Sequence, residues 1–425
     1  MLDIKYIKEH KEEVKQNCLN RQASVDIDKL LELDAKRRTL ITEVQALRGE
    51  RNKKSKTKPT QEEIAKMKMV GDEIQSKEGE MKSLEEAIRP LLLAVPNLTH
   101  ENVKVSNDEN DNPVMRQVGK PSKFNFEPKD HLSLAENLGL IDMERGAKVA
   151  GAKFYYLKGR LAELEQALTA YTLDIIKRHG FELMSTPYLA STDIIERLGF
   201  NPRGESTQVY NIADDNLSLI GTAEITLGAY HADESFEIKD LPKKYVALTP
   251  CFRTEAGSYS KFSKGLFRVH QFNKVEMFIY ATPEQSEVLH FEILKIEEAI
   301  WQGLNLPYRV VDHCTADLGN PSSRTFDLEV WLPTYAKALV DKPADTIGGW
   351  VEVTSCSNCT DYQARGLNIR LKNDTDGKNF VHTLNGTGVA TSRALVAILE
   401  NYQQADGSIE VPKILRPYLD FKVIK

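Results

Sequence analysis

Cysteine is scarce in this chain, and long apolar runs are missing from it. Five cysteines in 425 residues are too few for a disulfide scaffold and favour a reducing compartment, so we expect a cytoplasmic protein. No run of about eighteen apolar residues occurs, which argues against a membrane span. The N-terminal segment MLDIKYIKEHKEEVKQN is charged throughout and lacks the apolar stretch of a secretory signal.

An excess of positive charge is also missing. The net charge of -6 does not indicate a nucleic-acid-binding protein, so any contact with RNA must use a local basic patch. A hydrophobic content of 41% and a charged content of 28% are typical of soluble globular proteins. The length of 425 residues exceeds that of one small domain, and we expect two.

Glycine is rare between residues 27 and 93, where Glu, Lys, Leu and Ala dominate. Apolar residues recur there at alternating spacings of three and four, first over 30–47 and again over 67–91. Each run has one polar interruption, Arg37 in the first and Lys77 in the second. This spacing is typical of the seams of a coiled coil.

The segment KKSKTKPTQEE separates the two seams. Pro59 ends the first helix, and Thr60 with Glu63 forms a capping box that begins the second, which predicts an antiparallel helical hairpin. A solvated charged tip is one interpretation of the residues at its turn, and a contact with RNA phosphates is the other. The basic residues of the tip are Arg48, Arg51, Lys53, Lys54, Lys56 and Lys58.

From about Phe124 onward the pattern mixes helices and strands. Helical periodicity covers residues 161–179 and 286–303, and strand-like patterns cover residues 245–249, 276–280, 308–311 and 325–331. The helices and strands do not alternate as βαβ units. The pattern therefore predicts an α+β domain rather than a parallel α/β domain.

The segment Pro250–Phe278, PCFRTEAGSYSKFSKGLFRVHQFNKVEMF, combines two strand-like pieces with a polar loop. Alternate residues of a strand point to one face, so Arg253 and Glu255 share a face, and so do Arg268, His270 and Phe272. If the pieces pair as a hairpin, guanidinium groups, carboxylates and an aromatic ring converge on one surface. Such a surface suits a nucleoside triphosphate, because guanidinium groups bind phosphates and a ring stacks on a base.

This segment resembles motif 2 of the class II aminoacyl-tRNA synthetases, and in detail that of the seryl-tRNA synthetases. Residues 384–403, LNGTGVATSRALVAILENYQ, resemble motif 3 of the same family. Residues 180–190, GFELMSTPYLA, resemble the end of motif 1, with Pro187 at the family's proline. The motifs occur in the family's order, and the resemblance covers essentially the whole chain.

The resemblance implies a fold and an assembly. The expected fold class is α+β, with an N-terminal antiparallel coiled-coil hairpin and a C-terminal class II synthetase domain built on an antiparallel sheet flanked by helices. Residues 1–110 are expected to form the tRNA-binding arm, and residues 111–425 the catalytic domain. The family dimerises through motif 1, so we expect a homodimer in which one subunit's arm serves the other's active site.

The implied reaction is serine–tRNA ligation in two steps. The carboxylate of L-serine attacks the α-phosphate of ATP, which gives seryl-adenylate and pyrophosphate, and the seryl group then passes to the 3′ end of tRNA(Ser). The first step needs no general base, because a carboxylate is already ionised near pH 7. Whether tRNA(Sec) is a second acceptor stays open.

The family's ATP contacts carry over by motif position. Arg253 corresponds to the residue that bridges the α-phosphate and the serine carboxylate, Glu255 to the contact with the adenine amino group, and Phe272 to the ring under adenine. Arg268 and Arg393 correspond to the residues on the γ-phosphate side. Taken alone, these arginines would suggest surface ion pairs, and the ring would suggest core packing. The implied ATP-binding set is Arg253, Thr254, Glu255, Arg268, Val269, Phe272, Glu352, Val353, Ser355 and Arg393, and its catalytic members are Arg253, Glu255, Arg268 and Arg393.

The serine contacts carry over in the same way. Thr222 and Glu224 correspond to residues on the amino side of serine, Glu276 to the carboxylate that meets the amino group and the hydroxyl, and Thr387 to the hydroxyl contact. A pocket that hydrogen-bonds a hydroxyl can reject analogues that lack one. The implied serine-binding set is Thr222, Glu224, Arg253, Glu276, Asn385 and Thr387.

The segment VEVTSCSNCTDYQARG resembles a family strand that contacts metal and phosphate. Mg²⁺ is expected with ATP, and Glu352 and Ser355 correspond to its protein contacts. Asn358 and Gln363 are expected in the same strand.

Three residues near these motifs have alternative interpretations. Cys356 and Cys359 form a CxxC pair, which by itself suggests zinc or redox chemistry, but no second CxxC or paired histidine accompanies it. His270 could serve as a catalytic base, and a structural role beside the stacking ring is the favoured interpretation.

The chain also departs from the family pattern. Its motif 2 loop reads GSYSKFSKGL where the family commonly reads GSxGRDTRGL, so lysines at 261 and 264 keep the charge of arginine but not its fork. This change over Ser260–Lys264 is expected to affect the tRNA acceptor end. Residues 335–350 resemble a surface insertion, and Gly366 stands where the family tends to have an arginine.

Two other functions fit parts of the sequence. A non-catalytic paralogue that binds RNA would be favoured by the loss of Arg253, Glu276 or Arg393, and all three are present. A ligase that charges a carrier protein would lack the helical arm. Serine–tRNA ligation is therefore the function that the sequence favours.

Overall fold

The structure is a computed structural model, which describes residues 1–54, 60–200, 208–256, 265–335, 348–372 and 379–425. The chain forms two compact units, Met1–Leu98 and Thr99–Lys425. The functional boundary between residues 110 and 111 stays a prediction. Several predicted features lie outside the described residues: Lys56, Lys58, the helix break at Pro59, the side chains of Lys53, Lys54 and Glu63, the loop Ser260–Lys264 and most of the insertion at 335–350.

The N-terminal unit is helical. Its helices are α1 (Ile4–Glu9), α2 (Lys11–Asn20), α3 (Ile27–Lys54) and α4 (Gln61–Ala94). Helices α3 and α4 pack against each other, and the seam positions Leu30, Val44, Ile74 and Ile88 are buried. The predicted helical hairpin is therefore confirmed. The sequence analysis did not predict α1 and α2, which are short.

Both polar interruptions of the seam form ion pairs across the hairpin. Arg37 lies 3.7 Å from Glu85, and Lys77 lies 2.8 Å from Glu43. Because 37 faces 85 while 43 faces 77, the two helices run antiparallel. Exposed ion pairs of this kind contribute little net stability, so their main effect is to fix the register of the two helices.

The second unit combines helices with a large sheet. Its helices are α5 (His131–Asn137), α6 (Met143–Ala150), α7 (Arg160–Arg178), α8 (Thr192–Arg197), α9 (Glu224–Ala229), α10 (Pro283–Gly303), α11 (Tyr362–Leu367) and α12 (Thr391–Tyr402), with 3-10 turns at Glu109–Asp111, Ile238–Asp240 and Lys413–Tyr418. Its strands are β1 (Val114–Val118), β2 (Ile141–Asp142), β3 (Tyr156–Leu157), β4 (Glu182–Met184), β5 (Leu189–Ser191), β6 (Leu217–Leu219), β7 (Ser235–Phe236), β8 (Lys243–Phe252), β9 (Gln271–Ala281), β10 (Tyr308–Asp312), β11 (Arg324–Leu332), β12 (Gly349–Asn358), β13 (Arg370–Leu371), β14 (His382–Ala390), β15 (Ile409–Glu410) and β16 (Val423–Ile424).

The main sheet has eight strands within the described residues, in the order β1-β10-β11-β12-β14-β9-β8-β4. Neighbouring strands are antiparallel, except that β4 pairs in parallel with β8 at one edge. The predicted α+β class with an antiparallel sheet and flanking helices is therefore confirmed. No helix of the described residues combines the length and the apolar character needed to cross a membrane.

Strands β8 and β9 form the predicted hairpin, and their last paired residues are Phe252 and Gln271. The prediction that Arg253, Glu255 and Arg268 lie on strand faces is wrong, because all three lie beyond the strand ends. Glu255 has a φ of 52°, in the left-handed region, which takes the chain out of the extended geometry of a strand. These side chains are therefore positioned by the loop segments of the hairpin.

One face of the sheet is covered by α7, α10 and α12, which contact strands β9 and β14. Helix α10 begins at Pro283, and the Gln285 side chain accepts a hydrogen bond from the Thr282 backbone N–H at 3.1 Å. The helix approaches β14 so closely that a Cβ at Gly386 would lie 2.2 Å from Ile293 Cγ2. This close packing leaves the opposite face of β9 and β14 for a site.

Candidate active site

A cavity of about 360 Å³ opens on the sheet face opposite α10. It brings together residues from motifs 2 and 3 and from the VEVTSCS strand, which are far apart in sequence. Thr254 does not line it, although it belongs to the predicted ATP-binding set. The other predicted serine and ATP residues all line it: Thr222, Glu224, Arg253, Glu255, Arg268, Val269, Phe272, Glu276, Glu352, Val353, Ser355, Asn385, Thr387 and Arg393.

Arg253 is anchored by one nitrogen. Its Nε donates a hydrogen bond to Gly221 O at 3.3 Å, and its guanidinium carbon lies 5.4 Å from the centre of the Phe272 ring. The two terminal nitrogens have no hydrogen-bond partner within the described part of the chain. A planar fork held in this way can bind two anions at once.

The other two arginines are paired with carboxylates. Arg268 Nη1 lies 3.0 Å from Glu255 Oε2, and Arg393 Nη1 lies 3.1 Å from Glu352 Oε1. Arg393 also packs over the Phe267 ring, with 5.2 Å between the guanidinium carbon and the ring centre. The carboxylates therefore hold both cations at the wall of the cavity.

Glu276 is held from two sides. Its Oε2 lies 2.5 Å from Lys274 Nζ and accepts a hydrogen bond from Thr387 Oγ1 at 3.3 Å. Thr387 lies directly opposite Glu276 in the β14–β9 register, which explains this contact. A carboxylate and a hydroxyl at one end of the cavity can bind an ammonium group and a small alcohol.

Glu224 is buried behind the same end of the cavity. Its Oε1 accepts hydrogen bonds from Gln363 Nε2 at 2.7 Å and from Asn385 Nδ2 at 2.9 Å, and its backbone N–H donates to Thr222 Oγ1 at 3.2 Å. Burial and the nearby Glu276 carboxylate raise the pKa of Glu224 to about 7, against the hydrogen bond from Gln363. A cationic group bound here would favour its ionised form.

Glu352 and Ser355 provide few protein ligands for a metal ion. The described residues include no cluster of three or more His, Cys, Asp or Glu that could hold one. The surrounding protein desolvates the Glu352 carboxylate, but the charges of Arg393 and His313 outweigh this effect and hold its pKa below the usual value. One ionised carboxylate and one hydroxyl suit a Mg²⁺ ion that takes its other ligands from phosphate and water.

His270, Cys356 and Cys359 are the residues for which the sequence leaves alternative roles. His270 Nδ1 lies 2.9 Å from Arg253 O, and the Arg253 N–H donates to His270 O at 3.0 Å, so the ring braces the backbone of Arg253. Cys356 and Cys359 are both buried, and Cys359 Sγ accepts a weak hydrogen bond from Asn385 Nδ2 at 3.7 Å.

The departure at Gly366 has a packing explanation. A Cβ there would lie 1.9 Å from Arg197 O, so the backbone of α8 occupies the space of a side chain. The prediction that Gln363 belongs to the VEVTSCS strand is wrong, because β12 ends at Asn358 and Gln363 lies on α11. The side-chain amide of Gln363 therefore reaches Glu224 from helix α11 and not from strand β12.

The sequence analysis missed Lys274 and Phe267, which also line the cavity. The sequence could have predicted Lys274, because residues two apart on a strand lie on the same face, which places Lys274 beside Glu276. Phe267 had none, since an aromatic residue before Arg268 is equally typical of core packing.

Two family models match the chain. Residues 1–99 match "Seryl-tRNA synthetase N-terminal domain", and residues 208–402 match "tRNA synthetase class II core domain (G, H, P, S and T)". Among curated relatives, the serine–tRNA ligase of Treponema denticola is 50% identical over 429 residues, which is 99% of each chain. That of Dictyoglomus thermophilum is 47% identical over 434 residues, covering 100% of this chain and 99% of the relative.

Solved structures are similar over the same length. The seryl-tRNA synthetase of Pyrococcus horikoshii, complexed with ATP, aligns with a TM-score of 0.86 and 39% identity, covering 100% of this chain and 99% of that one. The cytoplasmic serine–tRNA ligase of Naegleria fowleri, in complex with AMP, aligns with a TM-score of 0.83 and 32% identity at the same coverage.

Proposed function

The chain belongs to the seryl-tRNA synthetase family, and from this premise we propose which of its residues bind each substrate. Its activity is serine–tRNA ligation: serine is activated with ATP to seryl-adenylate, with release of pyrophosphate, and the seryl group passes to tRNA. One observation carries the assignment. The residues expected at serine and those expected at ATP surround the same cavity of about 360 Å³.

Arg253 binds the two reacting groups. Its free terminal nitrogens bridge the serine carboxylate and the α-phosphate, which holds the nucleophile beside phosphorus and stabilises the charge that grows there. Arg268 and Arg393 bind the γ-phosphate side of ATP. To do so, Arg268 breaks its ion pair with Glu255, and Arg393 breaks its ion pair with Glu352. Arg393 is the third residue of α12, where the helix dipole also favours an anion.

Adenine binds at the opposite wall from serine. Phe272 offers its ring face to the base, and Glu255, released by Arg268, accepts from the adenine amino group. Val269 and Val353 complete this wall. Mg²⁺ arrives with ATP, and Glu352 and Ser355 are the residues that would hold it; when bound it neutralises phosphate charge.

Serine binds between two carboxylates. Glu224 and Glu276 bind the ammonium side, while Thr387 and Glu276 take the hydroxyl. Alanine and glycine leave these buried polar groups without a partner, which is the basis for rejecting them. Asn385 orients the Glu224 carboxylate through its hydrogen bond to Oε1, while Thr222, whose hydroxyl oxygen accepts from the Glu224 backbone N–H, faces the amino group of serine.

The pH dependence of serine binding tests the role of Glu224. Its pKa is raised to about 7, so the carboxyl is protonated below this pH and cannot bind the ammonium as an anion. We expect the KM for serine in ATP–pyrophosphate exchange to rise about fivefold between pH 7 and pH 6, and to be flat above about pH 8. The variant Glu224→Gln removes the titrating group and should raise the KM at every pH.

The Glu224→Gln variant also controls for protonation of the ATP phosphates, which can change with pH independently of Glu224. If the wild-type KM for serine does not change with pH, or if Glu224→Gln keeps the wild-type profile, the assignment of Glu224 to the ammonium side is wrong. A pH effect shared by both proteins belongs to the nucleotide.

The N-terminal hairpin serves tRNA. Its tip contains Arg48, Arg51, Lys53, Lys54, Lys56 and Lys58, and phosphate contacts are how basic helices bind folded RNA. Arg48 Nη2 lies 2.6 Å from Glu78 Oε1, so one of these cations is already paired. The basic tip supports binding to tRNA(Ser).

A second copy of the chain covers the β4 edge of the sheet. Among the described residues β4 is bonded to β8 alone, and Leu183, Tyr188, Leu189 and Leu248 on or beside it are exposed. An open strand edge with apolar side chains favours pairing with an identical edge about a two-fold axis. The low content of five cysteines in 425 residues supports a cytoplasmic location.

A further inference from the structure

Lys274 has no assigned role, yet it makes the shortest polar contact in the serine end of the cavity described above. It lies two residues before Glu276 on β9, so both side chains point to the same face. The distance from Lys274 Nζ to Glu276 Oε2 is 2.5 Å, and the two side chains are only 8% and 2% exposed. Both residues line the cavity.

The charge around Glu276 shows why a cation is needed there. Glu224 on α9 and Glu297 on α10 are buried near it, and Cys251 on β8 is a buried thiol. Burial raises the pKa of Glu297 well above its usual value, which disfavours a second charge beside Glu276. Arg253, the other nearby cation, is committed to substrate anions. A buried carboxylate without a cation is costly, and Lys274 supplies this cation.

The contacts on Glu276 also define its orientation. Lys274 and Thr387 both reach Oε2, and no contact from the described residues reaches Oε1. One oxygen is thus held by the protein while the other remains for a ligand. We propose that Lys274 is a positioning residue for amino-acid recognition, which holds Glu276 as an oriented carboxylate so that its second oxygen can bind serine. This rests on the assignment of Glu276 to serine.

A purely structural ion pair makes a different prediction. Such a pair would stabilise the sheet, and its loss would affect every substrate equally or only the stability. Lys244, on the neighbouring strand β8, offers this comparison, since its Nζ lies 2.7 Å from Glu292 Oε1 and its side chain is 17% exposed. The Lys244–Glu292 pair does not line the cavity.

Four variants in serine-dependent ATP–pyrophosphate exchange test the proposal: Lys274→Met, Lys274→Arg, Glu276→Gln and the double variant Lys274→Met/Glu276→Gln. We expect Lys274→Met to raise the KM for serine about a hundredfold, with the KM for ATP within about threefold of wild type. Lys274→Arg keeps the positive charge, so its KM for serine should lie within about tenfold of the wild-type value. In the Glu276→Gln background, Lys274→Met should raise the KM for serine by less than about a further threefold, because the carboxylate that Lys274 pairs with is absent.

The outcomes separate this proposal from the site assignment. If Glu276→Gln leaves the KM for serine unchanged, Glu276 does not bind serine and the assignment itself is wrong. If Glu276→Gln is impaired but Lys274→Met is not, or if the two effects simply add, the role of Lys274 is refuted alone. Equal losses for serine and ATP would also refute it. Lys244→Met is the matched control and should leave both KM values unchanged.

Discussion

Replacing Arg253 with alanine is expected to lower kcat/KM for serine in ATP–pyrophosphate exchange by about a thousandfold or more. The guanidinium is anchored through Nε to Gly221 O, which leaves its terminal nitrogens for the serine carboxylate and the α-phosphate. Charge on phosphorus grows mainly in the transition state, so the loss should fall on the chemical step. ATP binding, measured by calorimetry, should fall less, because Arg268 and Arg393 remain.

Two variants control this experiment. Arg253→Lys keeps the charge but loses the planar fork, and it should recover no more than about tenfold of the lost activity. Arg145→Ala removes an exposed arginine that pairs with Asp142 at 2.6 Å, and it should behave like wild type. If Arg253→Ala retains more than about a tenth of wild-type exchange, the bridging role is wrong.

Neutralising the tip of the arm is expected to separate the two steps of the reaction. Glutamine at the basic tip positions should lower kcat/KM for tRNA aminoacylation about a hundredfold and leave pyrophosphate exchange unchanged. The slope of log affinity against log salt should fall by about one for each phosphate contact removed. Glu78→Gln, which releases Arg48 from its ion pair, should strengthen tRNA binding at low salt. The substituted positions are Arg48, Arg51, Lys53, Lys54, Lys56 and Lys58.

A mixed dimer tests whether the arm acts across the two-fold axis. One subunit carries the neutral tip, and the other carries Arg253→Ala. If each arm serves the partner's cavity, the mixed dimer retains transfer, since the intact arm delivers tRNA to the intact cavity.

Sedimentation of the wild type should give twice the chain mass. A monomer, or a mixed dimer without transfer, would contradict the proposed assembly.

The residues of the cavity were easier to predict from the sequence than their geometry. The hairpin of β8 and β9, the helical arm and the α+β class follow from periodicity and turn residues, which are local signals. The contact between Thr387 and Glu276 depends on the register of two strands more than a hundred residues apart in the sequence. No local pattern specifies that register, and only the family resemblance brought the two residues together.

The errors have local physical causes. Arg253 and Glu255 lie outside the strand because the chain enters the left-handed region at Glu255, which a polar sequence does not reveal. The sequence pattern predicts Gln363 on a strand, but it lies on the short helix α11, from which its side chain donates to Glu224. Gly366 stands where the family tends to have an arginine, and in this chain the backbone of Arg197 fills the space that a side chain would need. Contacts between elements decided the environments of Gln363 and Gly366, and the backbone conformation decided that of Glu255.

A crystal structure with a non-hydrolysable sulfamoyl analogue of seryl-adenylate tests the residue assignment most directly. The account predicts the seryl hydroxyl at about 2.6–3.2 Å from Glu276 and Thr387, which is hydrogen-bond distance. It also predicts the sulfamoyl group against Arg253 and adenine on the face of Phe272. A seryl group bound away from Glu276, or an adenine that does not contact Phe272, would contradict it.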